Sequence, residues 1–278
     1  MATIHHDNIA FIGGGNMASA IIGGLLKCGA PAASIQVVEP LGEQREKLKE
    51  QFGVQLHAAP GAQLASATLV VWAIKPQIFK DAALQTRFHT KTALHFSVAA
   101  GITSSSIAHW LDTDHVVRAM PNTPALVGKG MTALYARPAV TAAGRMLVDR
   151  VIKTTGQRLW LDNEDQLDVV TALSGSGPAY VFYFIEAMIE AGVAMGLSRD
   201  QAHQLAVGTF VGSAALAKAS TEPIEILRSR VTSKGGTTYA AITSMEQNDI
   251  KALFIRAMQA ARHRAHELGD EFGAAESN

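Results

Sequence analysis

The first residues that could do chemistry are Gly13-Gly14-Gly15-Asn16-Met17-Ala18, which fit G-x-G-x-x-A. They follow the apolar strand-like run 8–12 and open a stretch that reads as a helix, the context that gives this pattern its meaning. Gly13 makes a tight turn, Gly15 lets the backbone approach a pyrophosphate, and Ala18 lets helix and strand pack closely. The helix start then offers unpaired N–H groups to phosphate oxygens. Ile12, Gly13, Gly14, Gly15, Asn16 and Met17 are thus the expected dinucleotide-binding turn. Glu39 ends the next strand pattern, 39 − 15 = 24 positions after Gly15, near the spacing of about 20 expected for a ribose-binding carboxylate. A carboxylate there accepts hydrogen bonds from the ribose of NAD and repels a 2′-phosphate; the bland alternative is a solvated strand end. Arg45 lies about a helical turn further on.

A second group is Ser233-Lys234-Gly235-Gly236-Thr237-Thr238, between two helical patterns. The glycines break the chain and helix resumes at about Thr237. Backbone N–H groups at such a start bind an anion without a basic side chain; simple Ser/Thr capping is the alternative, and both can hold at once.

The elements that must carry these residues differ between the two halves. Up to about residue 160, strand patterns at 8–12, 35–39, 69–74, 93–98 and 115–120 alternate with helical ones at 16–28 and 43–51. Apolar, β-branched runs alternating with helices imply βαβ units and a parallel sheet covered on both faces. Beyond residue 160 only helical patterns remain, over 165–173, 179–195, 199–219, 224–231, 237–247 and 250–268. The 179–195 stretch carries only Glu186 and Glu190 as charges, and the 199–219 stretch has Gly208 and Gly212 four apart. Helices this apolar need covering on most of their surface. The tail after Gly269 is polar and is expected to fray. The expected fold is α/β, with an N-terminal dinucleotide-binding domain over 1–161 and an all-α domain over 162–278.

Composition excludes several classes. Of 278 residues, 48% are hydrophobic and 17% charged, enough to form a core. Lys plus Arg and Asp plus Glu each number 24, so nothing attracts nucleic acid. Cys28, the single cysteine, excludes an intrachain disulfide, fits a reducing compartment and reads as a small buried residue at a helix end. No signal-peptide pattern or uncharged apolar run of membrane-spanning length stands out, so a cytoplasmic protein without membrane contact is expected. No metal site is expected: His5 and His6 sit at the start of the chain, and His263 and His266, flanked by Arg262 and Arg264, read as a solvated helix face.

Five further segments complete a pattern: Ala73-Ile74-Lys75-Pro76-Gln77, SVAAGI at 97–102, RAMPNTPA at 118–125, SGSGPAY at 174–180 and VTSKGGTT at 231–238. With the glycine loop they resemble the pyrroline-5-carboxylate reductase family over about residues 8–268. The resemblance implies a Rossmann domain, then a helical dimerisation domain that makes a homodimer or larger homo-oligomer. It also implies hydride transfer from NADPH or NADH to the C=N bond of 1-pyrroline-5-carboxylate, giving L-proline. By that resemblance Ala73, Lys75 and Pro76, with Ala99 and Ala100, meet the nicotinamide and its ribose. Ser233, Gly235, Gly236, Thr237 and Thr238 hold the substrate, Thr238 hydrogen-bonding the ring nitrogen, and Glu164 lines the substrate site. Lys234 stands where the family usually has proline.

Two rival readings remain. A β-hydroxyacid dehydrogenase carries G-x-G-x-x-x-K at the start of its helical domain, because a ketone reduced to an alkoxide needs an acid. Laid on Gly175-Ser176-Gly177, that lysine position is Val181, with Phe184 and Ile185 one turn on. A non-catalytic dinucleotide sensor would need the glycine loop but not the 233–238 run.

Overall fold

The computed structural model describes residues 7–273. Packing divides them into two units, one running to Ser176 and resuming at Ala261, the other Gly177–Ala260. This differs from the expected boundary at 161/162. Leu167 and Ala172 are buried, and Glu164 is bonded to Ser104 and Arg118, so the segment after 161 stays with the sheet.

The first unit contains an eight-stranded sheet in the order β3-β2-β1-β4-β5-β6-β7-β8. The strands are β1 (Ile9–Ile12), β2 (Ile35–Val38), β3 (Gln55–His57), β4 (Leu69–Trp72), β5 (Leu94–Ser97), β6 (Val116–Met120), β7 (Gly130–Ala136) and β8 (Gly156–Trp160). β1, β2, β4 and β5 are buried at every position, as continuous apolar strands between helical layers must be. Two buried clusters lie on the two faces, one around Phe11, Ile21, Val71 and Phe96, the other around Val70, Trp72, Phe79 and Trp110. The sheet is not wholly parallel, contrary to expectation: β7 runs antiparallel to β6 and parallel to β8.

Helices α1 (Asn16–Lys27), α2 (Gly42–Phe52), α3 (Phe79–Thr86), α4 (Ser104–Leu111), α5 (Ala142–Ile152) and the short α6 (Gln166–Val170) flank it. α1 buries Ala18, Ile21, Ile22 and Leu25, a stripe at helical spacing. It ends at Lys27, and the chain turns through Gly29 at φ +90°, which leaves Cys28 exposed rather than buried. α4 starts on a Thr103 side chain that accepts from the Ser106 N–H.

The second unit contains α7 (Gly177–Ala194), α8 (Arg199–Ala219), α9 (Ile224–Arg230), α10 (Thr237–Gln247) and the first part of α11 (Ile250–Gly273). α8 opens with a reciprocal Ser198/Gln201 capping box. α7 and α8 approach closely through small residues: a Cβ added at Gly192 would lie 2.9 Å from the Ala202 Cβ. Phe254 of α11 packs edge-on against Tyr180 and Phe184 of α7. α11 runs on to Gly273, so residues 270–273 are helical where the polar tail is expected to fray, and Phe272 packs against the first unit's core. The rest of that tail (274–278) lies outside the described residues. No helix among the described residues is long and apolar enough to cross a membrane.

Candidate active site

The strand order reverses between β1 and β4, and the loops after β1, β2 and β4 border a cleft of about 440 Å³ there. Such switch points at the carboxyl edge are where open α/β sheets take ligands. Ile12, Gly13, Gly14, Gly15, Glu39, Ala73 and Lys75 line this cleft, so most of the expected cofactor residues gather in one place.

Each glycine of the first loop has its own constraint. Gly13 has φ +94°, and a Cβ there would lie 2.5 Å from the Ala73 carbonyl oxygen. A Cβ on Gly14 would meet Leu48 Cδ1 at 2.4 Å, a demand the motif does not reveal. Around Gly15 nothing lies within 4 Å, and it caps α1 with extended backbone and no side-chain cap. That is the open approach a pyrophosphate needs, facing a helix start without an acidic residue in its first turn. Asn16 is exposed and Met17 half-buried at that start.

Glu39 is only 8% exposed, yet it is not a solvated strand end. Its Oε2 accepts from the Gly14 N–H at 3.0 Å and its Oε1 from the Leu41 N–H at 2.9 Å. One carboxylate therefore ties the glycine loop to the end of β2 and keeps lone pairs for ribose hydroxyls. Gln44, which the sequence reading passed over, donates to the Gly14 carbonyl at 2.6 Å. Arg45 donates to the carbonyls of Glu39 and Pro40 at 2.7 and 2.8 Å, so the nearby cation is occupied with backbone.

The loops after β4 and β5 are tied into the sheet. The Ala73 N–H donates to Ile12 O at 2.9 Å and the Val98 N–H to Trp72 O at 3.0 Å. Lys75 is exposed, and Pro76 starts a short turn of helix; Ala99 is buried and Ala100 half-buried. Behind these loops the Trp72 indole N–H donates to His95 Nδ1 at 3.1 Å. Burial pushes the His95 imidazole down to about 4, against a hydrogen bond to Thr90 backbone that works the other way. His95 is therefore a neutral, structural acceptor.

Glu164 sits in the first unit with both oxygens engaged. Oε1 accepts from the Ser104 N–H at 2.6 Å and from Arg118 Nη1 at 3.0 Å, and Oε2 accepts from the Ser104 hydroxyl. Asn122 of the RAMPNTPA run donates to Ser174 O at 3.0 Å and accepts from the Met131 N–H at 2.9 Å. Residues 171–175 form a π turn, in which the Ser176 N–H reaches Thr171 O at 2.8 Å. A Cβ on Gly175 would meet the tip of the Met120 side chain at 2.5 Å, so a larger residue there would make Met120 shift.

The 233–238 run belongs to the second unit. Gly235 has φ +76°, and Gly236, extended, caps α10 while donating to Ser233 O at 3.0 Å. Thr237 and Thr238 open α10, both exposed, with no acidic side chain in the first turn. N–H groups of a first turn have no intrahelical acceptor, so this start suits a carboxylate. Lys234 is exposed beside it. Val181, the dehydrogenase lysine position, lies on α7 at 40% exposure. His263 and His266 are exposed, but His266 also stands 3.5 Å from Asp168. His5 and His6 lie outside the described residues, among which no group of three His, Cys, Asp or Glu is arranged to hold a metal.

Comparison with known proteins adds to this geometry. A family profile for pyrroline-5-carboxylate reductase dimerisation matches residues 164–268, and one described as NADP oxidoreductase, coenzyme F420-dependent, matches residues 8–101. The chain is 44% identical to the Pseudomonas aeruginosa pyrroline-5-carboxylate reductase, over 95% of this chain and 98% of that one. A Coxiella burnetii pyrroline-5-carboxylate reductase structure superposes with a TM-score of 0.88 at 37% identity, covering 95% of this chain and 99% of that chain. The Plasmodium falciparum pyrroline carboxylate reductase, crystallised with NADP bound, gives 0.86 at 27% identity, covering 96% of this chain and all of that chain (100%).

Proposed function

Because the chain belongs to the pyrroline-5-carboxylate reductase family, we infer that it transfers hydride to the C=N carbon of 1-pyrroline-5-carboxylate, giving L-proline, and that it accepts NADH at least as readily as NADPH. It is an oxidoreductase acting on a C=N bond, with a Rossmann domain and a helical dimerisation domain. The observation that carries the cofactor reading is Glu39, a buried carboxylate fixed by two backbone N–H groups on the wall of the cleft. A 2′-phosphate would face that charge with Arg45 already committed to two carbonyls. The Plasmodium relative's bound NADP and the NADP oxidoreductase profile point the other way. What supports the NADH reading is that Glu39 cannot swing aside without freeing two backbone N–H groups.

The residues fit a dinucleotide: open space at Gly15, a bare start of α1, and the Glu39 carboxylate on the wall of the cleft. Gly13–Met17 would hold the pyrophosphate, Glu39 the ribose, and Ala73, Lys75, Pro76, Ala99 and Ala100 the nicotinamide end. When bound, the cofactor supplies the hydride. The start of α10, with Ser233, Gly235, Gly236 and Thr237, holds the substrate carboxylate, and the Thr238 hydroxyl bonds the ring nitrogen. A protonated imine is already electrophilic and its reduction leaves an amine, so no residue need deliver a proton to an alkoxide. Val181 at the lysine position agrees with that chemistry rather than with ketone reduction. Positioning then supplies most of the rate.

The working form is a cytoplasmic homodimer. On α8, Leu205, Gly208, Gly212 and Leu216 form one stripe; the two leucines are each 59% exposed, and nothing lies within 4 Å of a Cβ added at either glycine. A second copy covers this stripe, and Phe182 and Tyr183 of α7, exposed by 64% and 69%, join it. The direct test is steady-state kinetics with 1-pyrroline-5-carboxylate and each cofactor. Turnover with kcat/KM for NADH at or above that for NADPH is expected. No turnover would leave the sensor reading, and strong NADPH preference would remove Glu39 from the ribose.

A further inference from the structure

The loop Val98–Thr103 joins β5 to α4, and on the reading above its Ala99 and Ala100 meet the nicotinamide. We propose that Glu164 and Phe272 are positioning residues for this loop, holding it from two sides, and that Glu164 acts through Ser104 rather than on the substrate. The inference rests on that cofactor reading and deepens it.

The polar side begins at Ser104, 1% exposed, which is the first residue of α4 and follows the loop directly. Its N–H and hydroxyl both go to Glu164, across 60 residues of sequence. The carboxylate therefore complements the positive end of α4 as well as fixing its first turn. Arg118, 6% exposed in β6, holds Glu164 in turn at 3.0 Å, and Asp168 lies 3.9 Å from the same guanidinium. Bonds of this kind, with both partners charged or one of them a backbone N–H, are stronger than neutral ones. With every close polar partner of Glu164 drawn from β6 and α4, its carboxylate is set to define where the loop ends. The loop's other end is fixed by the sheet: the Ala99 N–H bonds Ser97 Oγ at 3.3 Å and the Val98 N–H bonds Trp72 O.

The apolar side is the end of α11. Gly101 sits at φ +72°, and a Cβ there would meet Leu268 Cβ at 3.1 Å and Phe272 Cδ2 at 3.5 Å. Phe272 also packs against the core cluster that contains Ala99 and Ile102. It lies beyond residue 268, where the dimerisation profile stops. The loop is held between the sheet, the half-buried Glu164 carboxylate and the end of α11.

The test uses the full-length enzyme with Glu164→Gln, Ser104→Ala and Phe272→Ala, each checked for folding by circular dichroism at the assay temperature. Loss of one charge-assisted hydrogen bond predicts a fall in kcat and a rise in the NADH dissociation constant that together cost about 10- to 100-fold in Glu164→Gln. KM for 1-pyrroline-5-carboxylate should stay within about twofold, and the primary isotope effect with deuterated NADH should rise as hydride transfer becomes slower. Ser104→Ala and Glu164→Gln should be non-additive in the double variant, because they share one bond. Phe272→Ala should show the same kcat and NADH pattern. A change confined to KM for the imine would place Glu164 on the substrate and overturn the proposal; so would normal kinetics in all three variants. Ala100→Leu separates the two layers of the argument. If it leaves NADH binding intact, the loop is not at the nicotinamide, and the cofactor reading falls together with the proposal. If Ala100→Leu abolishes NADH binding while Glu164→Gln and Phe272→Ala do nothing, only the positioning role falls.

Discussion

The two packing units, each given part of a ligand site by the proposed function, are built with unequal means. The first builds its site from its own chain: two buried clusters clamp the sheet, and Glu39, His95, Ser104 and Arg118 are buried polar groups with named partners. The second buries a cluster of only Ile189, Ala202 and Ala206, with Ile185 packed on it, and leaves large apolar side chains such as Met195, Val211 and Leu216 exposed. On the proposed function, its contribution is the glycine and threonine turn at 233–238. The first unit buries its apolar side chains within the chain, and the second, which makes up most of the dimerisation profile's match, leaves a large apolar surface that the proposed second copy would cover. Cofactor binding should therefore survive changes that end catalysis.

The strongest break of this comparison is at the α8 stripe. Leu205→Glu with Leu216→Glu puts two charges where a partner must close. An unpaired buried charge costs about 3–5 kcal/mol, so association should weaken at least about 100-fold. Sedimentation should show monomer at micromolar concentration and turnover should largely vanish, while NADH still binds the first unit. A fully active monomer would end the idea that the second unit is incomplete alone. Thr238→Ala is the next largest. One hydrogen bond to a charged group is worth about 1.5–3 kcal/mol, so kcat/KM should drop roughly 10- to 150-fold, with Thr238→Ser retaining most activity. Equal loss in both variants would mean a damaged start of α10 instead.

Legibility follows the same division. β1, β2, β4 and β5 are readable because a parallel strand buried on both faces must be an unbroken apolar run. The starts of α8 and α10 are readable because Ser198 and Gly236 mark them. β3, with three residues, and β8, with Gln157 and Arg158 exposed at the sheet edge, carry no such run. β7 is built of Gly130, Thr132, Ala133 and Ala136 as much as of Leu134, and only its pairing with β6 and β8 makes it a strand. At the site, local motifs were legible and long-range bonds were not. The glycine loop and the 233–238 turn sit where their spacing places them. The partners of Glu164 lie 46 and 60 residues away, and no pattern in one sequence announces them. The packing division at 176/177 was not legible for the same reason: the segment after 161 reads as helix, the dimerisation profile begins at residue 164, and long-range side-chain bonds decide which unit the segment packs with.

His95 tests how far the first unit is held together by its buried polar pairs. Its imidazole falls from 6.5 unfolded to about 4 in the fold, so its contribution is complete above pH 6.5 and is lost as pH drops toward 4. Between pH 7 and 5 this predicts a loss of about 2 kcal/mol in unfolding free energy from that group alone. Urea titrations at several pH values would measure it. His95→Gln keeps an acceptor for the Trp72 indole and should flatten that part of the slope; an unchanged slope would mean that His95 is not the group titrating.

The smallest and most discriminating change is Glu39→Gln. The carboxylate accepts one backbone N–H on each oxygen, whereas an amide has a single acceptor, so either Gly14 or Leu41 loses its partner. A stability loss of about 1–3 kcal/mol is therefore expected whatever the cofactor. The informative quantity is the ratio of kcat/KM for NADPH to that for NADH. Taking about 6 Å and an effective dielectric constant of about 40, removing the repulsion relieves roughly 1.4 kcal/mol, a tenfold rise in that ratio. Arg45→Ala sharpens the result. Arg45 is bonded to the carbonyls of Glu39 and Pro40, so its loss should weaken both cofactors alike by loosening the end of β2. If Arg45→Ala instead damages NADPH alone and Glu39→Gln leaves the ratio where it was, then Arg45 leaves its carbonyls to take the 2′-phosphate, and Glu39 serves only to hold the glycine loop in shape.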